Sequence, residues 1–247
     1  MCNFNPFTLA GKTILVTGAS SGIGRSIAVT CSMLGASIII NGRNRQRLNE
    51  TASMMEGNSH IVFPGDLTID ETIQKLVENL PKLDGVVHCA GIVFRLLAKQ
   101  LSSTDIDKMM SVNFKAPVLL QGQILQQKKL NKGASVVFVA SLGADMPNVG
   151  NSLYSATKGA LISYANCLMA ELAPRQIRVN CISPAMVWTN LAEDNWVDEE
   201  ILKEEEKSYP LKRYGTPEDI ANLAVYLLSD ASSWMTGTNV KITGGVR

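Results

Sequence analysis

Tyr154 and Lys158 are the two side chains of this sequence whose types and spacing are best suited to proton transfer. They stand four residues apart in the segment Asn151–Lys158, so in a helix they would leave the same face one turn apart. A free tyrosine titrates near pH ~10, and a neighbouring ammonium favours its phenolate. The same spacing also occurs in ordinary surface pairs that support helices. Taken alone, the pair therefore leaves both interpretations open.

A glycine-rich turn lies between a predicted strand and a predicted helix near the start of the chain. Thr13–Thr17 is apolar and β-branched, Gly18-Ala-Ser-Ser-Gly22-Ile-Gly24 follows at once, and Arg25–Leu34 has helical periodicity with Gly35 as a C-cap. Glycines let the backbone approach a ligand closely, and a helix N-terminus offers free N–H groups to a phosphate. The pattern favours nucleotide binding over a simple tight turn.

The end of the second predicted strand, Ser37–Asn41, bears on the choice of nucleotide. NAD-binding folds of this kind place a carboxylate there to bind the ribose 2′-hydroxyl. This chain instead has Asn41-Gly42-Arg43, with Arg45 and Arg47 close behind. Cations at a helix start oppose its dipole, so an anion such as the 2′-phosphate of NADP would compensate them. The alternative is a solvated basic helix start.

Strands and helices continue to alternate to the end of the chain. The further predicted strands are His60–Phe63, Leu83–Cys89, Ala134–Ser141, Ile177–Ile182 and Asn239–Ile242. The further predicted helices are Ile69–Leu80, Ser102–Lys129, Ser152–Leu172, Asp194–Ser208 and Pro217–Leu228. This alternation predicts an α/β fold: one domain over residues 1–247, with a doubly wound parallel sheet of about seven strands and helices on both faces. Ligands of such sheets bind at the carboxyl ends of the strands.

Asn113 and Pro117 predict an interruption in the long helix Ser102–Lys129. Residue 117 would normally donate its N–H to the Asn113 carbonyl, but proline has no N–H and its ring clashes with that carbonyl. The helix should therefore be distorted there, leaving the Asn113 carbonyl free for another partner such as water. A kink used only for packing is the alternative.

Composition argues against several other classes of protein. The 247 residues carry 23 Lys+Arg and 22 Asp+Glu, so no overall basic field points to nucleic acid or an anionic membrane surface. No apolar run is long enough for a membrane span, and no signal peptide is evident. The five scattered cysteines and two histidines have no metal-site spacing, so we expect no metal, and reduced thiols in the cytoplasm.

Taken together, the motifs resemble those of the short-chain dehydrogenase/reductase family. The matching pieces are Thr17–Gly24, Asp66-Leu67, Ala90-Gly91, Asn113, Ser141 and Tyr154-x-x-x-Lys158, and the similarity runs from Gly11 to Gly245. Their combination in this order is far more specific than any one of them. The resemblance implies a Rossmann-like sheet and reversible hydride transfer between a nicotinamide cofactor and a carbonyl or alcohol.

The resemblance also implies a role for each member of a catalytic set. Tyr154 would be the general acid in reduction and the general base in oxidation, and Lys158 would stabilise its phenolate and bind the nicotinamide ribose. Ser141 would donate a hydrogen bond to the substrate oxygen. Asn113 would hold a water that links Lys158 to solvent.

The residues expected to bind the cofactor come from several motifs along the chain. By resemblance, Asp66 and Leu67 would bind the adenine, and Ile182–Thr189 would hold the nicotinamide carboxamide. NADP(H) is favoured over NAD(H). The full expected set is Gly18, Ser20, Ser21, Gly22, Ile23, Gly24, Asn41, Arg43, Asp66, Leu67, Ala90, Gly91, Tyr154, Lys158, Pro184, Val187 and Thr189.

Three features depart from the family pattern. His88-Cys89 stands where Asn-Asn is frequent, so an amide that would pin neighbouring strands is lost; we interpret His88 as a strand-end residue and not a catalytic one. Ala185 replaces a usual glycine near the cofactor ring. The glycine turn contains no basic residue, which many NADP enzymes of the family have there, and this weakens the argument for NADP.

The substrate pocket should draw on Leu142–Asn151 and Met186–Tyr209, with a lid at about 186–212. Its expected lining is mostly apolar, which suits a ketone on a hydrophobic body. The expected substrate contacts are Ser141, Leu142, Met146, Tyr154, Met186 and Trp188, with Val149, Leu191 and Trp196 as further apolar residues.

The segment that starts at Tyr209 looks like that of 3-oxoacyl-acyl carrier protein reductases, but similar segments occur in sugar, polyol and steroid dehydrogenases. Arg175 and the group Lys128, Lys129 and Lys132 could receive an acidic carrier protein, although ordinary solvated surface is the simpler interpretation. The resemblance further implies a homotetramer. A non-catalytic NADP-binding sensor or scaffold is the alternative of another class, and the retained catalytic set argues against it.

Overall fold

Seven parallel strands form a single sheet in the computed structural model, which describes residues 5–146, 148–189 and 199–246, with the backbone alone for 199–202. The strand order is β3-β2-β1-β4-β5-β6-β7, and each neighbouring pair is parallel. The strands are β1 (Thr13–Thr17), β2 (Ser37–Gly42), β3 (Ile61–Pro64), β4 (Leu83–His88), β5 (Leu130–Val139), β6 (Arg178–Pro184) and β7 (Asn239–Ile242). The predicted doubly wound sheet is confirmed.

Helices connect the strands and cover both faces of the sheet. They are α1 (Gly22–Met33), α2 (Arg45–Met54), α3 (Asp70–Glu78), α4 (Ser103–Met110), α5 (Ala116–Gln126), α6 (Ser152–Leu172), α7 (Glu199–Ser208) and α8 (Pro217–Leu228). Short 3₁₀ turns occur at Ala98–Gln100, Leu142–Ala144, Ala173–Arg175 and Asp230–Ser232. Within the described part of the chain, no helix has both the length and the apolar character to cross a bilayer.

The apolar side chains of the strands divide between two cores, one on each face of the sheet. Leu15 of β1 packs in a buried cluster with side chains of α3, α5 and α6. Its neighbours Ile14 and Val16 point the other way, into a cluster with α1, α2 and α8. Because successive side chains of a strand face opposite sides, burial on both faces requires the unbroken apolar run found in β1.

Between α4 and α5 the helix contains a π turn, Ser111–Lys115, in which the Ala116 N–H donates to the Ser111 carbonyl five residues earlier. The prediction of one helix over Ser102–Lys129 is therefore corrected to two helices joined by a π turn. Pro117 cannot give Asn113 its usual bond, so the predicted interruption at this point is confirmed.

Two other boundaries differ from prediction for identifiable reasons. β5 begins at Leu130, not Ala134, and its pairing with β4 jumps from Leu83↔Leu130 to Gly85↔Ser135. The extra residues of this bulge are polar or glycine and largely exposed, so they carry no strand pattern. α1 begins at Gly22, not Arg25, because two glycines of the turn already belong to its first helical turn.

Candidate active site

The predicted motifs meet at one edge of the sheet, formed by the carboxyl ends of the strands. The glycine turn follows β1, Asn41 and Gly42 end β2, and Ala90-Gly91 follows β4. β1 and β4 are neighbours, and the strand order runs away from them in opposite directions. This is the switch point at which such sheets bind ligands.

The glycine turn is packed so closely that side chains would not fit. A Cβ added to Gly18, whose φ is +68°, would lie 2.8 Å from the Cα of Ala90, and one added to Gly24 would lie 2.4 Å from the Gly18 carbonyl oxygen. A Cβ on Gly22 would lie 3.1 Å from Thr189. The turn after β1, the turn after β4 and the segment after β6 therefore enclose one cradle.

The first turn of α1 is free to bind an anion. Ser21 is the N-cap in an extended conformation, yet its side chain makes no capping hydrogen bond, and the first turn has no acidic residue. The N–H groups at this end are among those that helices leave unpaired, and they carry the positive end of the dipole. The cradle and this helix end fit the pyrophosphate of a dinucleotide.

At the end of β2, the expected cofactor residues have different surroundings. The Asn41 side chain is buried and donates from Nδ2 to the Phe63 carbonyl at 3.0 Å, so it ties β2 to β3. Arg43 is exposed, and Asn44 caps α2 by accepting from the Arg47 N–H at 3.0 Å. Arg43 is thus free to meet a ligand, whereas Asn41 mainly holds the edge in place.

Asp66 and Leu67 form a compact turn after β3. The Asp66 carboxylate accepts from the N–H and hydroxyl of Thr68 at 2.9 and 2.8 Å, and Leu67 is buried. Ile23 is half-buried in the α1 first turn beside Ser20 and Gly22. These residues stand at the same edge as the glycine turn.

Lys158 reaches the edge from α6 with a buried side chain, only 5% exposed. Its Nζ donates to the Val139 carbonyl at the end of β5 at 2.8 Å and lies 5.8 Å from the Tyr154 ring centroid. A Cβ added to Gly91 would lie 3.5 Å from Nζ and 3.3 Å from Asn113 Oδ1. Lys158 and Asn113 therefore converge on the Ala90-Gly91 turn, with the phenol ring beside them.

The Asn113 side chain holds the chain just after β4. It accepts from the Ile92 N–H at 2.8 Å and donates to the Ile92 carbonyl at 2.9 Å and to the Thr157 hydroxyl at 3.2 Å. The Thr157 hydroxyl in turn donates to the Tyr154 carbonyl at 2.7 Å. The π turn is thereby connected to the turn of α6 that carries Tyr154.

Ser141 and Tyr154 approach each other across Gly143. The Ser141 hydroxyl caps a 3₁₀ turn by accepting from the Gly143 N–H at 3.1 Å. A Cβ added to Gly143 would lie 3.3 Å from Ser141 Oγ and 3.8 Å from Tyr154 Cε1. The four predicted catalytic residues are thus gathered on three neighbouring elements, as a site for proton transfer requires.

The residues predicted to contact substrate do not line one common pocket. Met146 and Met186 line two different clefts, and Leu142 is buried. A cleft of about 280 Å³ beside Ser141 and Tyr154 is lined by Gly143, Ala144, Asp145, Met146, Asn148, Ser152 and Ser155. Met186 lines another cleft together with Val187 and Ile242, and Trp188 packs edge-on against Tyr214 with ring centroids 5.2 Å apart.

Leu142 is buried and its side chain does not line the cleft at Ser141, so its contact with substrate stays a prediction. Four side chains of that cleft are polar, namely those of Asp145, Asn148, Ser152 and Ser155. Leu191 and Trp196 lie outside the described residues, as does the beginning of the predicted helix Asp194–Ser208. Val149 is exposed.

The segment after β6, which is expected to contact the nicotinamide, is held by several hydrogen bonds. Val187 pairs with Gly215 in an isolated bridge, and the Ala185 N–H donates to the Ile242 carbonyl at 3.0 Å. The Trp188 indole donates to the Glu206 carboxylate at 3.2 Å. The base of the predicted lid is therefore held by β7, residue 215 and α7.

His88 is a structural residue in the interior, as predicted for a strand end. Its ring stacks on Phe138 with centroids 4.6 Å apart, and Nε2 lies 3.0 Å from Gln121 Oε1. Burial lowers the pKa of His88 from 6.5 to about 4, so the ring is neutral at physiological pH. The chain just after β4 is held to β1 by the Thr17 hydroxyl, which accepts from the Cys89 and Ala90 N–H groups at 3.1 and 3.3 Å.

The basic group suggested for carrier docking lies at the opposite edge. Lys129 precedes β5 and donates to the Leu80 carbonyl at 2.7 Å, and Arg175 precedes β6 and donates to the Leu130 carbonyl at 2.7 Å. The length of a seven-residue strand, about 20 Å, separates them from the carboxyl edge of the same chain.

Sequence reasoning missed several supporting groups. They include Thr17, Thr157, the Val139 carbonyl and Arg25, which donates to the Ser20 carbonyl at 2.7 Å. Thr157 lies inside the Tyr154–Lys158 interval, so the helical spacing could have pointed to it. The others act through backbone atoms or contacts distant in sequence, which leave no pattern.

Comparison with known proteins agrees with this geometry. A family model described as enoyl-(acyl carrier protein) reductase matches residues 18–247. The 3-oxoacyl-[acyl-carrier-protein] reductase FabG of Rickettsia felis is 33% identical over 238 residues, which cover 96% of this chain and 98% of that protein.

Two solved structures are similar over almost their whole length. A Brucella melitensis structure described as a short-chain dehydrogenase/reductase, glucose/ribitol dehydrogenase, superposes with a TM-score of 0.90 at 30% identity, covering 98% of this chain and 99% of the other. A Beutenbergia cavernae structure described as an NAD(P)-dependent gluconate 5-dehydrogenase, with NADP bound at low occupancy, has a TM-score of 0.87 at 30% identity and covers 98% of both chains.

Proposed function

Because the chain belongs to the short-chain dehydrogenase/reductase family of oxidoreductases, we propose that it moves a hydride between NADP(H) and a carbonyl or alcohol substrate, first among them a 3-oxoacyl group on an acyl carrier protein. The single observation that carries the site assignment is the buried Lys158 ammonium, held by the Val139 carbonyl beside the Tyr154 ring. A buried cation beside a phenol, at the edge where the cofactor cradle lies, is suited to acid–base work.

The bound nicotinamide supplies or takes up the hydride, and the side chains of the site manage the proton. In reduction, the Tyr154 hydroxyl gives its proton to the substrate oxygen, and Lys158 stabilises the phenolate that remains. The Ser141 hydroxyl donates to the same oxygen as negative charge grows there. Oxidation runs in the reverse direction, with the Tyr154 phenolate taking the proton.

Asn113 acts in this proposal through its position. Its side chain is committed to Ile92 and Thr157, and its backbone carbonyl has no ordinary donor because Pro117 lacks an N–H. That carbonyl is available for a water through which the phenolate regains a proton from solvent. Asn113 thus both fixes the Ala90-Gly91 turn and supplies the next step of the relay.

Replacing Tyr154 by phenylalanine tests the assignment. We expect kcat to fall by about 10³-fold, since the general acid is removed, while the Kd for NADPH stays within about twofold. The matched control is Tyr164→Phe on the same helix, which should keep its activity. Similar rates in Tyr154→Phe and the parent would reject the assignment.

The preference for NADP(H) is supported by the absence of a carboxylate at the end of β2 and by the exposed Arg43. Arg43→Ala should lower kcat/KM for NADPH by about tenfold and leave that for NADH nearly unchanged, because only NADPH carries the 2′-phosphate. A parent enzyme that prefers NADH would overturn this preference.

A sugar or polyol substrate is the second candidate. Asp145, Asn148, Ser152 and Ser155 give the cleft at Tyr154 hydrogen-bonding groups for substrate hydroxyls, and the two similar structures described as glucose/ribitol and gluconate dehydrogenases point the same way. A spectrophotometric screen with both cofactors decides between the classes. Turnover of 3-oxoacyl thioesters but not of five- and six-carbon ketoses and polyols would favour the first candidate, and the reverse would favour the second.

A cytoplasmic homotetramer remains part of the proposal. Ile106 of α4 and Leu119 of α5 are 42% and 36% exposed, which gives the helical face next to α6 apolar side chains for a second copy to cover. Light scattering on the purified chain tests this: a mass near four times 26.7 kDa is expected, and a monomer would contradict it.

A further inference from the structure

Arg25, in the first turn of α1, reaches across to the beginning of α2. Its Nη2 donates to the Ser20 carbonyl at 2.7 Å and to the Arg47 carbonyl at 3.3 Å, and its Nε donates to the Thr51 hydroxyl at 3.0 Å. Nη2 also lies 3.2 Å from a carboxylate oxygen of Glu50. The Arg25 side chain is 26% exposed, and its hydrogen bonds connect the glycine turn to α2.

Thr51 completes this tie from the side of α2. It is fully buried, and its hydroxyl lies 2.8 Å from the Ala19 carbonyl within the glycine turn. Arg25 and Thr51 thus fix the start of α2 against two consecutive backbone carbonyls, those of Ala19 and Ser20. Both side chains therefore connect α2 to the glycine turn, and only Arg25 also carries a charge.

Ser20 is also in contact with the end of β2. A Cβ added to Gly42 would lie 3.3 Å from Ser20 Cβ and Oγ. Arg43 follows directly and is exposed. The Arg25 guanidinium therefore lies behind the junction at which the 2′-phosphate of NADP is proposed to bind.

The charges around this junction are unequal. Arg43, Arg45 and Arg47 are exposed and have no ion-pair partner among the side chains that the structure describes. Glu50, one turn further along α2, carries a negative charge that Arg25 neutralises. Without Arg25, that carboxylate would stand unpaired near the proposed phosphate and repel it.

We propose that Arg25 is a specificity-determining positioning residue for NADP(H). By pairing with Glu50 and holding the carbonyls of Ser20 and Arg47, it keeps this edge cationic although the glycine turn itself contains no basic residue. The inference rests on the proposed NADP(H) function and adds a residue that acts on the 2′-phosphate through the charge of Glu50.

The test compares kcat/KM for NADPH and NADH in four forms of the full chain: the parent, Arg25→Gln, Glu50→Gln and the double variant. Arg25→Gln should lower kcat/KM for NADPH about three- to tenfold and that for NADH less than about twofold. The double variant should recover most of the NADPH loss, because the unpaired carboxylate is then absent. The loss in Arg25→Gln should also shrink at high salt, since these charges are partly exposed.

Thr51→Val is the matched control, because it removes the tie to the glycine turn without changing any charge. It should affect NADPH and NADH alike. Equal losses for both cofactors in Arg25→Gln, or no recovery in the double variant, would overturn the inference and leave Arg25 a purely structural tie. If Arg25→Gln is too unstable to assay, Arg25→Lys serves: it should keep the NADPH/NADH ratio within about threefold of the parent, and collapse of the ratio would contradict the charge argument.

The proposed preference for NADP(H) is tested independently of the role of Arg25, by cofactor kinetics of the parent and of Arg43→Ala. A parent that prefers NADH, or an Arg43→Ala variant with unchanged NADPH kinetics, rejects the NADP(H) preference. The coupling of Arg25 to Glu50 is read from the change of the NADPH/NADH ratio between variants, whichever cofactor the parent prefers.

Discussion

Two buried cations, Lys158 and Arg178, stand at opposite edges of the sheet and have very different surroundings. Arg178 begins β6 at the amino edge, is 8% exposed, and donates to the Leu227 carbonyl at 2.8 Å, the Ser232 hydroxyl at 2.7 Å and the Ser229 carbonyl at 3.1 Å. Lys158 is 5% exposed at the carboxyl edge and donates one hydrogen bond among the described residues, to Val139.

The number of hydrogen bonds that each cation donates to the protein distinguishes Arg178, as a structural cation, from Lys158, as a functional one. Arg178 binds carbonyls at the C-terminal end of α8, where unpaired acceptors and the negative end of the helix dipole both favour a cation. Its donors are largely used within the protein. The Lys158 ammonium has three N–H groups and uses one of them on the scaffold, so it keeps donors for the phenol and for a ligand.

Lys158→Met is the variant expected to have the largest effect, and it acts on activity alone. We expect kcat/KM to fall by about 10³-fold because the phenolate loses its cation, while the free energy of unfolding changes by less than about 1 kcal/mol, since an apolar chain of similar length replaces a buried charge. Steady-state kinetics and urea unfolding measure the two quantities. A large loss of stability with activity retained would reverse the roles that we assign to the two cations.

Arg178→Met should show the complementary pattern. Losing the Arg178 hydrogen bonds to the Leu227 and Ser229 carbonyls should cost about 2 kcal/mol of unfolding free energy, although the Ser135 and Ser232 hydroxyls can still donate to these carbonyls, and kcat of the folded enzyme should stay unchanged. Arg178→Lys, which keeps one donor group for those carbonyls, should lose less. Unfolding by urea with activity normalised to folded protein distinguishes this result from a catalytic defect.

His88 contrasts with the two buried cations, because burial keeps its titratable side chain neutral. Its pKa is lowered by burial from 6.5 to about 4, so the unfolded chain takes up the proton first as the pH falls. The corresponding stability is present above pH ~6.5 and is lost towards pH ~4, amounting to about 2 kcal/mol between pH ~7.5 and pH ~5. Urea unfolding at both pH values, in the parent and in His88→Asn, measures this term. An identical pH dependence in the two proteins would refute it.

Lys241 is an exposed cation whose contribution to stability can be compared with those of the two buried cations. It pairs with Asp145 at 2.9 Å, with side chains 51% and 43% exposed. Lys241→Gln should change the unfolding free energy by no more than about 0.5 kcal/mol, because solvent screens such pairs. Thermal unfolding at low and high salt checks this, and a loss comparable to that of Arg178→Met would show that burial is not what distinguishes the cations.

The fold could be predicted because it rests on local patterns, and the same holds for the placement of Tyr154 and Lys158 on one helix. α6 covers Ser152–Leu172 as predicted, since its periodicity and the following Pro174 mark both ends, and Tyr154 and Lys158 then share a face by geometry. The distortion of the helix near Asn113 followed from Pro117, although its form as a π turn did not. Such features depend on residues close together in sequence.

The sequence could not predict contacts that are made by backbone atoms or between residues far apart in the chain. The carbonyl of Val139 that holds Lys158, and the carbonyls of Leu227 and Ser229 that hold Arg178, belong to residues whose side chains say nothing of this use. The burial of Leu142 is a further case, because the 3₁₀ turn after Ser141 directs this side chain into the interior. Side-chain direction in a short irregular turn depends on dihedral angles that residue types do not fix.

The π turn also fixes the phase of the helix that follows it. A residue inserted into an α-helix rotates everything beyond it by about 100°, and a π turn amounts to such an insertion. The face of α5 that bears Leu120 and Ile124 packs in the core in this rotated setting, while Asn113 within the turn points at Ile92. Deleting one residue from Ser111–Lys115 would rotate α5 by about 100° relative to α4 and turn Leu120 and Ile124 away from the sheet. The length of this turn, and not only the identity of its residues, holds Asn113 and the α5 core in register.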